Sequence, residues 1–168
     1  TPLHLIWRKS LDTGEIDPLL KWSYISPIHK GGKRDTAKNY RPVALTSHLI
    51  KVFEKVLRNA LVAYIDEYSL FNPNQHGFRS GHSCLSQLLS HYDRITKLLK
   101  EGYNVDVVYL DFSKAFDKLD FNITIQKLYD MGISGKILNW ITTFLTNRNQ
   151  TVVVDGAKST PELVQSGV

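Results

Sequence analysis

From Ser47 onward the apolar residues Leu49, Val52, Phe53, Val56, Leu57, Ala60, Leu61 and Tyr64 recur every three or four positions, with Lys51, Glu54, Lys55 and Arg58 between them. That spacing lays an apolar stripe along a helix and predicts a long amphipathic helix beginning at Ser47. A second stripe, Leu85, Leu88, Leu89, Tyr92, Ile95 and Leu99, predicts another helix with those residues turned inward, ended by Gly102. Two more helices are expected over roughly residues 121–131 and 134–146, separated by Gly132, and a short one over 3–10, closed off by Gly14 and Pro18.

Elsewhere the period shortens toward two. Trp22, Tyr24 and Ile28 alternate with more polar neighbours in "WSYISPIHK", which predicts a half-buried strand that Pro27 demotes to a sheet edge. "YRPVALT" resumes an extended run after the loop "GGKRDTAKN", so the two strands bracket a basic turn as a long hairpin. "NVDVVYLDF", residues 104–112, is almost continuously apolar and predicts a strand buried on both faces. "QTVVVDGAKS" reads as a hairpin turning at Asp155-Gly156. Helices over a small sheet make an α/β (α+β) chain, and no repeat, low-complexity tract or interdomain linker interrupts it.

Composition narrows the class. At 168 residues with 42% hydrophobic content, the chain suits one ordinary domain or two small lobes. The single cysteine, Cys84, excludes an internal disulfide framework and fits a reducing compartment. No apolar run approaches the length of a bilayer, and "TPLHLIWRKS" lacks the order of a signal peptide, so a soluble chain without membrane partners is expected. Met131 is the only methionine and lies deep inside the chain, so the sequence is expected to be either processed or a piece of something longer, and it is read as a piece. The net charge of +5 favours an anionic partner only weakly.

The distribution of residues says more. In "VVYLDFSKAFD", residues 107–117, Asp111 stands where the predicted strand meets solvent, the usual position of ligand-binding groups at a sheet. An isolated aspartate there also reads as a strand-end or helix-capping residue. Here Phe116 follows five residues later, with Lys114 and the amides of residues 113–115 between. A carboxylate that holds a divalent cation, flanked by amides and a ring, can hold a nucleoside triphosphate and test its sugar. Core packing is the plain alternative for Phe116.

Lys30, Lys33, Arg34, Lys38 and Arg41 fall within twelve residues containing one acid, Asp35. Such a cluster suits phosphate, although solvated surface looks the same and no P-loop pattern is present. Pro42 fixes the chain beside Arg41, whose planar fork matches phosphate oxygens. In "NQHGFRSGHS", Gln75, Phe78 and Arg79 offer amide, ring and guanidinium for the bases and backbone of nucleic acid, or make an ordinary glycine turn. His76, His82 and Cys84 do not complete a zinc set, because no Cys-x-x-Cys or second paired cluster accompanies them.

In their order along the chain, these residues resemble the reverse transcriptase domain of non-LTR retrotransposons, the jockey-like and related elements, from about Trp22 to Val168. "YISPIHKGGKRDTAKNYRPVALTSHLIKVFEKVL" is similar to that family's fingers segment, which implies contacts of Lys30 and Arg41 with the incoming deoxynucleoside triphosphate. "NQHGFRSGHSCLSQLL" resembles the motif near the template strand, implying that neighbourhood for Gln75 and Arg79. "VVYLDFSKAFDKLD" resembles the first palm motif. The resemblance makes Asp111 a catalytic, metal-binding carboxylate and the carbonyl of Phe112 a second metal ligand. It gives the amides of Lys114 and Ala115 to the triphosphate and puts Phe116 under the sugar.

The implied architecture is the fingers and partial palm of a right-hand polymerase, with helices on a small, mostly antiparallel sheet. Residues 1–21 form a helical lead-in, 22–104 the fingers region and 105–168 a palm that is incomplete at the C-terminus. The implied partners are an RNA template and a DNA primer; the implied cofactor is Mg2+, two ions in a complete domain, and the setting is intracellular, nuclear or cytoplasmic. One departure is plain: the Pro-Gln-Gly run and the aromatic-x-Asp-Asp turn of the family are not among these residues, and no two aspartates are adjacent. One carboxylate cannot clamp two ions, so this polypeptide alone is expected to be inactive. A non-catalytic nucleic-acid-binding descendant of such a domain is the rival reading. A phospho-accepting Asp111 in a doubly wound sheet fits less well, because residues 1–20 offer only Asp12, Glu15 and Asp17 in a loop-like setting.

Overall fold

Trp140 sits 2% exposed at the centre of the main core, with Ile16, Ile50, Phe53 and Leu57 buried around it. The computed structural model describes residues 2–167. Two compact units divide the chain, one made of residues 1–59 and 114–168, the other of residues 60–113.

The first unit begins with helix α1 (Pro2–Thr13). Helix α2 (His48–Glu67) starts where its stripe begins, with the Ser47 hydroxyl accepting the Leu49 amide at 3.3 Å. The part of α2 up to residue 59 belongs to this unit, as do helices α4 (Phe121–Asp130) and α5 (Gly135–Leu145), and α1 packs on α5. In the core, Phe53 stacks on Trp7 at 5.2 Å and meets the edge of Trp140 at 5.0 Å. The Trp140 indole donates to Ser10 Oγ at 2.9 Å, and Lys136 bonds Asp12 at 2.7 Å, so α1 is tied to α5 by both polar and apolar contacts. The apolar stripe of α2 is wider than the face that becomes buried. Ile50, Phe53 and Leu57 are covered, whereas Leu49, Val52 and Val56 are at least half exposed.

The sheet of this unit contains β1 (Trp22–His29), β2 (Tyr40–Leu45), β3 (Arg148–Val154), β4 (Ala157–Lys158) and β5 (Glu162–Val164). Its order is β2-β1-β3-β4, with β5 also on β3, and all pairings are antiparallel except β1 with β3. The β1–β2 hairpin forms as expected. β1, however, is an interior strand rather than an edge. The β3 ladder spans only Trp22 to Ile25, so Pro27 lies past its end, where a missing N–H leaves no bond unmade on that side. The second hairpin turns at Asp155 and Gly156, both at positive φ (49° and 84°), as a two-residue turn between twisted strands requires.

In the second unit, α3 (Cys84–Lys100) is opened by Ser83, whose hydroxyl accepts the Ser86 amide while the Ser86 hydroxyl accepts the Ser83 amide. Its stripe is not covered: Leu85, Leu88, Leu89, Tyr92 and Leu99 are all exposed. The predicted buried strand over residues 104–112 is likewise absent. That segment has no ladder partner, and Val108, Tyr109, Leu110 and Phe112 are 78–87% exposed. A strand is stable only with neighbours to complete its ladder and layers to cover its faces. The remaining described residues of this unit are helix, turn or loop.

Candidate nucleotide and nucleic-acid interface

The basic loop between β1 and β2 is held by its own backbone and leaves its cations outside. The Lys30 amide donates to Asn39 O at 2.9 Å, and Asn39 Nδ2 donates to Lys33 O at 2.8 Å. Tyr40 OH donates to Arg34 O at 2.8 Å, and the Tyr40 ring lies 5.2 Å from that of His29. Gly32 is at φ 79°, and a Cβ there would come within 2.7 Å of Asn39 Nδ2, so this turn needs glycine. Lys30, Lys33, Arg34, Lys38 and Arg41 are all exposed. Arg41 stands opposite Ile28 on the edge strand β2, and the alternation of strands puts it on one sheet face with Val43, Leu45 and Tyr24. A positive, pre-shaped loop of this kind can meet a run of phosphates without first being ordered.

Residues 114–119 carry the other candidate residues of the same unit. Lys114 is at φ 56°, a conformation that costs about 1–3 kcal/mol for a residue other than glycine and that the surroundings must hold. The Lys118 amide closes one turn onto Lys114 O at 3.1 Å. Ser166 Oγ donates to Asp117 O at 3.0 Å, and the Gly167 amide donates to Leu119 O at 2.9 Å. Asp120 then caps α4 by accepting the Ile123 amide at 3.0 Å. Phe116 projects from this turn with 60% of its surface exposed.

Nearby in the unit, Arg148 is half-buried. Burial lowers its pKa, opposed by Glu54, and burial pushes the Glu54 carboxyl up, against the pull of Lys51 and Arg148. Neither residue stands out in the sequence, because the burial that shifts each and their influence on one another come from elements distant along the chain.

The remaining sequence candidates lie in the second unit. Gln75, Phe78 and Arg79 share one loop, but their side chains do different things. Arg79 Nη1 donates to Asn72 O and Gln75 O, each at 3.4 Å, and its guanidinium lies 5.0 Å from the Phe71 ring. Gln75 Nε2 donates to Gly77 O at 3.3 Å. Phe78, at φ 61°, is 82% exposed. The loop thus secures itself with the guanidinium and the amide while presenting a ring to solvent. Asp111 and Phe112 lie on the unpaired segment and are exposed, and the His91 ring is 6.3 Å from Tyr109 on that segment. Among the described residues, no group of three or more His, Cys, Asp or Glu side chains could hold a metal ion, and no helix is long and apolar enough to cross a membrane.

Comparison with known proteins gives this geometry its context. The chain is 29% identical over 171 residues to the "Probable RNA-directed DNA polymerase from transposon BS" of Drosophila melanogaster, covering 99% of this chain and 18% of that protein. It is 29% identical over 167 residues to the RNA-directed DNA polymerase from mobile element jockey of the same species, again 99% of this chain and 18% of the relative. With the Pol polyprotein of the type-1 retrotransposable element R2 of Popillia japonica it shares 28% over 144 residues, 84% of this chain and 19% of that protein. The chain therefore spans about a fifth of the length of these relatives. The family described as reverse transcriptase (RNA-dependent DNA polymerase) matches residues 28–167, from the end of β1 to beyond β5, and the chain belongs to that family.

Proposed function

We propose that this chain supplies the incoming-nucleotide surface and part of the catalytic surface of a polymerase that adds deoxynucleotides to a DNA primer on an RNA template. The observation that carries the reading is the family match over residues 28–167, a range that includes the basic loop, Asp111 and the turn at 114–119. In this reading residues 22–104 are fingers, 105–168 the first part of the palm and 1–21 a lead-in. Lys30 and Arg41 meet the triphosphate, and Lys33, Arg34 and Lys38 meet nucleic-acid phosphates. The amides of Lys114 and Ala115 take triphosphate oxygens, and the Phe116 ring lies against the sugar. Phe78 offers an exposed surface for a base, in the neighbourhood of Gln75 and Arg79.

The Asp111 carboxylate and the Phe112 carbonyl are adjacent hard oxygen donors, and their exposure leaves room for water and phosphate, which suits Mg2+. These two would hold one ion, which when bound offsets triphosphate charge and favours in-line displacement. In this reading the basic loop draws the nucleotide in and orients it.

The test is primer extension on an RNA template, run with the 168-residue polypeptide and with a chimaera joining it to the Asp-Asp turn of the jockey polymerase. Extension is expected from the chimaera and is lost on Asp111→Ala. The 168-residue polypeptide alone is expected to show none. Templated incorporation that survives Asp111→Ala would overturn the reading.

A further inference from the structure

Arg148 has no role in the chemistry proposed above, yet it occupies a junction of three elements. Helix α5 ends at Leu145, Asn147 reverses the chain at φ 52°, and Arg148 opens β3. Arg148 Nε donates to Leu145 O at 3.1 Å, as suits a cation at a helix C-terminus, and its guanidinium carbon lies over the ring of Phe121, the first residue of α4, 5.5 Å from the ring centre. Nη2 donates to the carbonyl of Gly167. Among the described residues no carboxylate lies within ion-pair distance of it, so the fork is directed to backbone carbonyls.

Gly167 carries the contact onward. It is buried at φ 83°, and a Cβ there would lie 2.8 Å from Asp117 O and 2.9 Å from Phe116 O, atoms of backbone that have no side-chain freedom with which to yield. Its amide bonds Leu119 O, and its neighbour Ser166 bonds Asp117 O. Two steps therefore lead from the guanidinium to the backbone that follows the strained Lys114 and carries Phe116.

We propose that Arg148 is a positioning residue, acting through Gly167 to hold the turn at residues 114–119 in the shape that receives a deoxynucleoside triphosphate. Lysine cannot replace it, because a single ammonium cannot bond two carbonyls as a planar fork while lying over Phe121. The proposal rests on the reading of 114–116 as a triphosphate site, and its test separates the two.

The experiment compares Arg148→Ala, Arg148→Lys, Gly167→Ala and the control Arg58→Ala in the 168-residue chain. It follows amide hydrogen exchange and the Kd of a fluorescent Mg2+·deoxynucleoside triphosphate. Arg148→Ala and Gly167→Ala are each expected to speed exchange at the Lys118 amide about tenfold, as loss of charge-assisted bonds to a local unit should, while amides around Phe53 in α2 change less than about twofold. Nucleotide affinity falls about tenfold in parallel, and Arg58→Ala changes neither. Should Arg148→Ala not fold, Arg148→Lys reads the same amide. Unchanged exchange at Lys118 in a folded variant, or exchange that rises equally along the chain, overturns the proposal. If the unsubstituted chain binds no triphosphate, the reading of 114–116 fails, and the exchange pattern alone then decides whether Arg148 positions the turn.

Discussion

The Ser166 hydroxyl donates to the Asp117 carbonyl at 3.0 Å, joining residues 49 apart and fixing the backbone directly after an exposed phenylalanine. A ring projecting from a held backbone can exclude a sugar hydroxyl by contact alone. In the jockey chimaera, Phe116→Ala is therefore expected to raise ribonucleotide over deoxyribonucleotide incorporation by about 10-fold or more. Asp111→Ala should abolish both. Because the ring is 60% exposed, its removal should cost well below the roughly 3–5 kcal/mol of a buried phenylalanine, and the melting temperature should stay near that of the parent. An unchanged incorporation ratio in a folded Phe116→Ala variant removes this residue from the site.

The exposed cations Lys33, Arg34 and Lys38 of the β1–β2 loop predict how nucleic acid is bound. Affinity for single-stranded oligonucleotides of different sequence should be similar and should fall steeply with salt, because the contacts are with phosphates. Replacing Lys33, Arg34 or Lys38 by alanine should each reduce the slope of log K against log salt by about 0.7–1. Binding that holds its strength from low to physiological salt contradicts this assignment.

Glu54 predicts a pH dependence of stability. Its pKa is raised in the fold, chiefly by burial, so the folded chain holds this proton more tightly than the unfolded chain. Its contribution is most favourable below the ordinary carboxylate range and is lost as pH rises through the raised folded value. Glu54→Gln should flatten the stability curve in that mildly acidic window. At neutral pH it should change stability by only a few tenths of a kcal/mol, since the side chain retains contact with water. Urea melts across that range measure it, and an unaltered curve shows that Lys51 and Arg148 offset the burial.

Leu57 and Leu110 look equally apolar in sequence but are 7% and 87% exposed. Leu57→Ala should destabilise the chain by about 2–5 kcal/mol, and Leu110→Ala by no more than about 0.5 kcal/mol. Leu110→Ser should also reduce self-association, because Val108, Tyr109 and Leu110 form a bare apolar run. Comparable losses for Leu57→Ala and Leu110→Ala would mean that residues 104–112 are covered in solution.

The features legible in the sequence are those decided within a few residues. The helices at Pro2–Thr13, His48–Glu67, Cys84–Lys100, Phe121–Asp130 and Gly135–Leu145 follow from apolar spacing and from punctuation at Ser47, Gly102 and Gly132. The turn at Asp155-Gly156 and the basic hairpin follow from residue types that suit those conformations. The family resemblance, carried by short ordered motifs, was legible too, and the match over residues 28–167 agrees with it.

Tertiary structure decided what those elements meet. Ile50 is 1% exposed while Leu49 beside it is half exposed, because Trp7 and Trp140 arrive from elsewhere in the chain to cover only part of the α2 stripe. β1 became an interior strand because Asn149 to Val152, well over a hundred residues later, pair with it. Residues 104–112 carry every local mark of a buried strand and are not one, since burial and a ladder belong to the neighbours and not to the segment. Arg148 reads in sequence as one more surface cation. Its importance lies in Leu145, Phe121 and Gly167, and only the folded chain brings their two carbonyls and one ring within reach of a single guanidinium.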